Sequence, residues 1–377
     1  MIIKNASVYT EEGNFVVKDI YVEGNQFVEG MAEVSDTEVI DGTGCYAIPG
    51  LTDLHFHGCV GYDFCDGTIE AITKIAEYEA SVGVTNIVPA TMTLAEDVLL
   101  NICETAAKYN AGNASEKGAD LCGINMEGPF LAPKKKGAQN GAYLALPNVA
   151  MFDRLNEASG HMIKLVAIAP EIEGAMEFIE EVKDRTVLSL AHTLANYDIA
   201  AEAFDKGLTH VTHLYNAMNM FMHRDPGPIG AAADKGGEVE LICDGVHIHP
   251  STVRTTFKMF DQDKIILISD SMMATGLDDG MYSLGGQAVK VVGNLATLES
   301  GTIAGSATNL MDCVRVAVKD MGIPLEAAIQ CAAVNSAKSV GIYDQYGSIT
   351  DGKIANVVLL NQDDLSLKSV ILRGKVL

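Results

Sequence analysis

Two kinds of pattern alternate along the middle of the chain. Short, almost continuously apolar runs recur: "CYAIPGLTDLHFH", "VTNIVPAT", "LCGINMEG", "IKLVAIAP", "TVLSLAHT", "THVTHL", "VELICDG" and "KIILISD". Most are separated by stretches rich in Ala, Glu, Leu and Ile with apolar residues at helical spacing, as at 67–82, 95–109, 173–183 and 197–206. A strand buried on both faces is apolar throughout, and parallel neighbours need a crossover between them. Eight such runs with helical crossovers therefore predict an α/β fold of the (β/α)8 TIM-type barrel kind, with a doubly wound open sheet as the second architecture. The two ends break this rhythm. The opening residues, with turn signals at "EEGN", "VEGNQ" and "DGTG", and the closing "GSITDGKIANVVLLNQDDLSLKSVILRGKVL" read as short strands and turns. They predict a small β-sandwich built from both termini, with residues 1–50 and 345–377 flanking a catalytic barrel over 51–344.

Composition narrows what such a fold can do. The 377 residues are 48% apolar and 20% charged, which suits a soluble protein with a large core, and no tract of 18 or more apolar residues suggests a membrane span. The start shows no basic leader before an apolar core, so the expected location is the cytoplasm. Eight cysteines (Cys45, Cys59, Cys65, Cys103, Cys122, Cys243, Cys313 and Cys331) lack CxxC spacing and read as buried free thiols in a reducing compartment. Fifty acids against 26 bases give a net charge of −24, which argues against nucleic acid and anionic membrane surfaces as partners. A small anionic substrate stays possible if local donors receive it.

The candidate chemistry lies at the ends of the apolar runs. His55 and His57 in "PGLTDLHFHG" are two apart, so in an extended strand both imidazoles face one point. The other run ends carry Thr91, Glu127, Pro170 with Glu171, His192, His213, Asp244 with His247 just beyond, and Asp270. Each has a bland alternative: His192 a core histidine, Glu127 a helix-start acid, Asp270 a helix cap. His210, three residues before His213, is expected on the opposite side of its strand as a structural residue, and Cys59 is expected not to be a ligand. Five metal-type side chains on one rim outweigh the separate alternatives, because that rim is where barrel enzymes assemble their sites. Imidazoles and a carboxylate hold Zn²⁺, Fe²⁺ or a similar ion, which acidifies bound water and polarises a carbonyl. With an aspartate at the eighth run end to carry the water proton to a leaving amine, the residues point to metal-assisted hydrolysis.

These residues resemble the amidohydrolase superfamily through "PGLTDLHFHG", the later strand-end histidines, the aspartate of "SDSMMATG" and the closing "GKIANVVLL". Within it, the chain resembles the N-acetylglucosamine-6-phosphate deacetylase family through "MEGPFLAPKKKGAQ", "IAPE", "AHTLANY", "THLYNAM", "DPGPIGAA", "ICDGVHIHP" and "GTIAGSATNL". The resemblance implies Glu127, His192 and His213 as main metal ligands and His55 and His57 as extra ligands of a two-metal site, with one or two divalent ions per subunit, Zn first and Fe, Mn, Co or Ni as alternatives. It implies Asp270 as the general acid/base and His247 as the residue that polarises the acetyl carbonyl. It also implies sugar-phosphate contacts from Ala138, Asn216, Ala217 and Ile303, Ala304 and Gly305, and an Arg224 that reaches the phosphate from a neighbouring subunit of a homodimer. Where many members have a histidine after "KKGA", this chain has Gln139, expected to donate to a substrate hydroxyl or phosphate oxygen. Lys134–Lys136 are expected to form a solvated loop. The implied reaction is hydrolysis of the acetamide of N-acetylglucosamine 6-phosphate; the alternatives are the galacto epimer, a cyclic amide, or a non-catalytic assembly protein on the same scaffold.

Overall fold

The computed structural model describes residues 1–35 and 38–377. Eight parallel strand segments appear where the apolar runs place them: Leu51–Asp53, Val84–Ile87, a third in two pieces (Asp120–Leu121 and Ile124–Met126), Ile163–Ile168, Val187–Leu190, His210–Val211, Glu238–Ile242 and Ile265–Ile268. They pair in chain order, the first three as one parallel sheet and the second piece of the third through the eighth as another. A bridge between Ala90 and Asn125 joins the two sheets at the broken third strand. At the other edge, Asp270 N donates to His55 O at 2.9 Å and His57 N to Ser271 O at 2.7 Å, so the end of the eighth strand lies beside the end of the first.

A helix follows each strand: α1 Ile69–Ser81, α2 Glu96–Lys108, α3 Val149–Ala158, α4 Ala175–Val182, α5 Tyr197–Lys206, α6 Gly227–Lys235, α7 Pro250–Met259 and α8 Leu310–Lys319. Helix α1 shows why the periodic stretches fold this way. The Thr68 side chain accepts from Ala71 N, and Ala71, Ile72, Ile75, Ala76 and Ala80 make one buried stripe. That stripe joins the main core with Ile102, Phe152 and Phe178 from α2, α3 and α4 and Val166 and Leu241 from the strands.

The ends of the chain do pair. Strand Cys45–Pro49 runs antiparallel to Val357–Asn361 and parallel to Ile2–Tyr9, within an eight-stranded sheet built from both termini. Its own core includes Ile3, Val8, Val22, Phe27, Val357 and Leu359. One unit was not anticipated: an antiparallel sheet of Gly280–Leu284, Gln287–Val292 and Leu295–Leu298 after the eighth strand. Gly285 and Gly286, at φ 55° and 78°, make its first turn, a backbone that favours glycine. It packs Leu284, Val289, Val291 and Ala296 onto Met92 and Met272. Among the described residues no helix is long and apolar enough to cross a membrane.

Candidate active site

The ends of the parallel strands open into a cavity of about 700 Å³ lined by His57, Glu127, His192, His213, His247 and Asp270, among others. The backbone that delivers these side chains is strained. His192, His213, Ala217 and Asp270 have φ of 43°, 29°, 51° and 50°. Each such non-glycine conformation costs on the order of 1–3 kcal/mol and persists where surrounding contacts impose it. His192, His213 and Asp270 each lie two residues beyond the end of their strand, where this backbone turns the side chain from the sheet into the cavity.

Two donor groups meet there and share Glu127. In the first, Glu127 Oε1 lies 3.0 Å from His192 Nε2 and 3.2 Å from His213 Nε2, and the two ring nitrogens are 3.1 Å apart. His192 Nδ1 faces the Lys135 carbonyl at 2.8 Å. A carbonyl only accepts, so Nδ1 carries the hydrogen and Nε2 presents a lone pair to the group. Ligands about 2.0–2.1 Å from one tetrahedral ion stand roughly 3.3 Å apart, close to the separations here. In the second group, His57 Nε2 is 3.3 Å from Glu127 Oε2 and 3.4 Å from Asp270 Oδ1, and His55 Nε2 is 3.7 Å from Glu127 Oε1 and 3.8 Å from Asp270 Oδ1. His55 Nε2 is buried without a hydrogen-bond partner. Both triads, His55–His57–Glu127 and Glu127–His192–His213, have the spacing that holds a metal ion.

The electrostatics fit a cation. Burial on its own would depress His57, yet hydrogen bonds and charge from Asp270 and Glu127 hold it up at about 10. His55 is likewise raised well above an ordinary histidine, with the charges of Glu240 and Glu127 overriding burial. Burial would raise Glu127 and Asp270, but the surrounding histidines hold both carboxyls below the usual range. A buried nest of ionised carboxylates stabilises positive charge, and the ring nitrogens a cation would meet there are Nε2 of His55, His57, His192 and His213.

His247 is fixed by its neighbour. Its Nδ1 lies 2.7 Å from Asp244 Oδ2, while Asp244 Oδ1 accepts from His247 N at 2.9 Å. Charge and hydrogen bonding from Asp244 outweigh burial and raise this histidine. Asn216, Ala217, Ala138, Ile303 and Gly305 line the cavity.

The expectations for Ala304, Gln139 and the Lys134–Lys136 loop need correction. Ala304 is fully buried in the core of the unanticipated sheet and does not line the cavity. Gln139 does line it, but its amide is committed elsewhere. Oε1 accepts from Thr93 N at 2.6 Å, which fixes the amide so that Nε2 donates to Glu127 Oε2 at 2.7 Å and faces Met92 Sδ at 3.6 Å. Lys134–Lys136 are cavity walls and not a free loop, with Lys135 Nζ donating to Met218 O at 2.8 Å. Arg224 is exposed and outside the walls of this chain's cavity. Glu171 takes hydrogen bonds from Thr193 and Leu194 N in the next loop. His210 stays out of the cavity as expected of a structural residue: its ring reaches Glu240, while His213, beyond the strand end at Val211, gives Glu240 only its backbone N–H and turns its ring into the cavity. Cys59 belongs to neither donor triad, and all eight cysteines are free.

Residue-type reasoning missed Glu240 and Asp53. Both are fully buried. Asp53 binds Ser269 and His55 N, tying the first strand to the eighth, and burial pushes its carboxyl up to about 7. The available signal was an acid inside an otherwise apolar strand run.

The amidohydrolase family profile matches residues 46–377. The chain is 35% identical to N-acetylglucosamine-6-phosphate deacetylase of Bacillus subtilis (strain 168) over 372 residues, 96% of this chain and 93% of that protein. It is 33% identical to N-acetylgalactosamine-6-phosphate deacetylase of Escherichia coli O157:H7 over 332 residues, 87% of this chain and 86% of the relative. Among solved structures, an N-acetyl-D-glucosamine-6-phosphate deacetylase mutant of Mycobacterium smegmatis, in complex with N-acetyl-D-glucosamine-6-phosphate, superposes with a TM-score of 0.91 at 29% identity, covering 100% of this chain and 98% of that one.

Proposed function

The chain belongs to the amidohydrolase family, and on that premise we propose that it is a hydrolase that removes the acetyl group of N-acetylglucosamine 6-phosphate, yielding glucosamine 6-phosphate and acetate. The observation that carries this reading is the meeting of two histidine–carboxylate triads with Asp270 in one cavity. We assign Glu127, His192 and His213 to one divalent ion and His55, His57 and Glu127 to a second, with Zn²⁺ ahead of Fe, Mn, Co and Ni. Such an ion acidifies water and polarises a carbonyl.

The protein's own groups do the rest. Asp270, kept ionised by the adjacent histidines, accepts the proton of the attacking water and delivers it to the departing amine nitrogen. His247, with Nδ1 tied to Asp244, turns Nε2 toward the acetyl oxygen and donates to the charge that develops there. Asn216, Ala217, Ala138, Ile303 and Gly305 shape the sugar pocket. The lysines of residues 134–136 supply local positive charge that an overall net charge of −24 denies. Arg224 of a second copy completes the phosphate site in a homodimer. Its exposure outside this chain's cavity, beside the exposed Met220, Phe221 and Met222, supports that reading.

We read the two parallel sheets as one closed (β/α)8 barrel over 51–344, and the shared terminal sheet as a small sandwich domain over 1–50 and 345–377. Eight free cysteines suit a cytoplasmic setting. A second reading, the galacto epimer as preferred substrate, is supported by the likeness to the N-acetylgalactosamine-6-phosphate deacetylase. The test is amine release from N-acetylglucosamine 6-phosphate, N-acetylgalactosamine 6-phosphate and unphosphorylated N-acetylglucosamine. The gluco phosphate is expected to give the highest kcat/KM. Preference for the galacto phosphate selects the second reading, and equal turnover of the unphosphorylated sugar overturns the phosphate assignment.

A further inference from the structure

Behind the cavity runs a buried polar chain that the reaction does not use. Its centre is Glu240, on the seventh parallel strand and fully buried. Glu240 Oε2 lies 2.8 Å from His55 Nδ1 and accepts from the His213 backbone N–H at 2.9 Å, while Oε1 lies 3.0 Å from His210 Nε2. On its far side, His210 Nδ1 meets Glu238 Oε2 at 3.4 Å and Ser339 Oγ at 3.3 Å, and Ser339 Oγ donates to Glu238 Oε2 at 2.6 Å. Neither Glu240 nor His210 forms a wall of the cavity.

An ionised carboxylate has no hydrogen to give, so His55 Nδ1 must carry one. His55 then presents its Nε2 lone pair, the buried atom without a partner, to the second donor group. The same carboxylate anchors the backbone of His213, which belongs to the first group. His210 lies between acceptor oxygens of Glu238 and Glu240, so both its nitrogens need hydrogens and the ring is a cation. A buried carboxylate with three donors, one of them cationic, is tolerated, whereas one without them is not.

We propose that Glu240 is a positioning residue that fixes the tautomer and orientation of His55 and so creates the second metal position, with His210 as the buried counter-charge that keeps Glu240 in place. The proposal rests on His55 being a metal ligand and is independent of the substrate. The test titrates Zn²⁺ into metal-stripped protein against a competing chelator and counts bound ions, with Co²⁺ absorption as a spectroscopic readout. In Glu240→Gln the weaker-binding of two ions is expected to lose about 10–100-fold in affinity, the range for an outer-sphere partner. The first ion should change by less. Combined with His55→Ala, Glu240→Gln should add no further loss at that position.

His210→Gln keeps a donor toward Glu240 but removes the charge. It is expected to shift the same ion in the same direction by a smaller factor, and it decides the matter if the Glu240 variant does not fold. Unchanged affinity in the folded variants, or a loss that adds to that of His55→Ala, overturns the positioning role. An unmodified protein that binds no divalent ion overturns the metal-site reading itself, and this proposal with it.

Discussion

The two donor groups that share Glu127 are built differently. In the Glu127–His192–His213 group the donors are 3.0–3.2 Å apart and both histidines sit on left-handed backbone. In the His55–His57 group the carboxylate contacts spread over 3.3–3.8 Å, and both histidines follow the first parallel strand without such strain. The first group is held by backbone conformation, a carbonyl behind His192 and the Glu240 carboxylate on the backbone of His213. The second is held by side chains behind it, with Glu240 on His55 and Asp53 on the segment that carries it. The lesson is that one rim can build one donor group on strained turns and its neighbour on unstrained backbone backed by buried carboxylates. The second is open to single substitutions at residues that do not line the cavity.

The most severe way to remove the difference is Glu127→Ala, which takes away the shared ligand. Metal analysis is expected to show both ions lost and amine release to fall to background; retention of either ion breaks the shared-ligand picture. Asp270→Asn should leave the first ion bound and lower kcat by about 10²–10⁴-fold, the share of a general acid/base. Near-normal turnover in that variant removes Asp270 from the proton's path. Gln139→Leu frees Glu127 Oε2 from its 2.7 Å donor and should weaken ion binding about 10–100-fold by chelator competition. No change there would mean that the histidines alone orient the carboxylate.

The smallest expected effect concerns pH. His210 is raised to about 9: burial by itself would lower it, but Glu238 and Glu240 override burial. A histidine raised above its ordinary value of about 6.5 contributes stability that is full below that pH and lost as pH rises through about 9. Melting of the metal-free protein should therefore show a drop in Tm across that window that His210→Gln flattens. An identical slope in the variant assigns the drop to other groups.

Much of this was legible in the chain because the signals were local. Helices α1, α2, α4 and α5 fall within the stretches where apolar residues recur at helical spacing, and the strands fall in the apolar runs. The histidines and Asp270 stood out because metal-type residues are conspicuous at the ends of apolar strands. What stayed hidden depends on three-dimensional packing. Gln139 reads as a substrate contact until Thr93 N is seen to fix its amide, and Ala304 reads as a pocket residue until the sheet over 280–298 folds around it. That sheet had a sequence signal in "LGGQ" and "VGNL", turn pairs between alternating residues, but it falls after the eighth run, where the barrel rhythm expects a helix. Glu240 was passed over, although it interrupts an apolar run, because an acid in a strand ordinarily faces water. Donors from His55, His210 and the His213 backbone make it tolerable inside.

The most direct measurement is turnover of N-acetylglucosamine 6-phosphate as Zn²⁺ is titrated into metal-stripped protein, with bound metal counted at each point. Amine release is expected to rise in step with occupancy of the donor groups around Glu127 and to vanish when the metal is chelated. Turnover that persists in fully stripped protein, or metal-replete protein that releases no amine, contradicts the account.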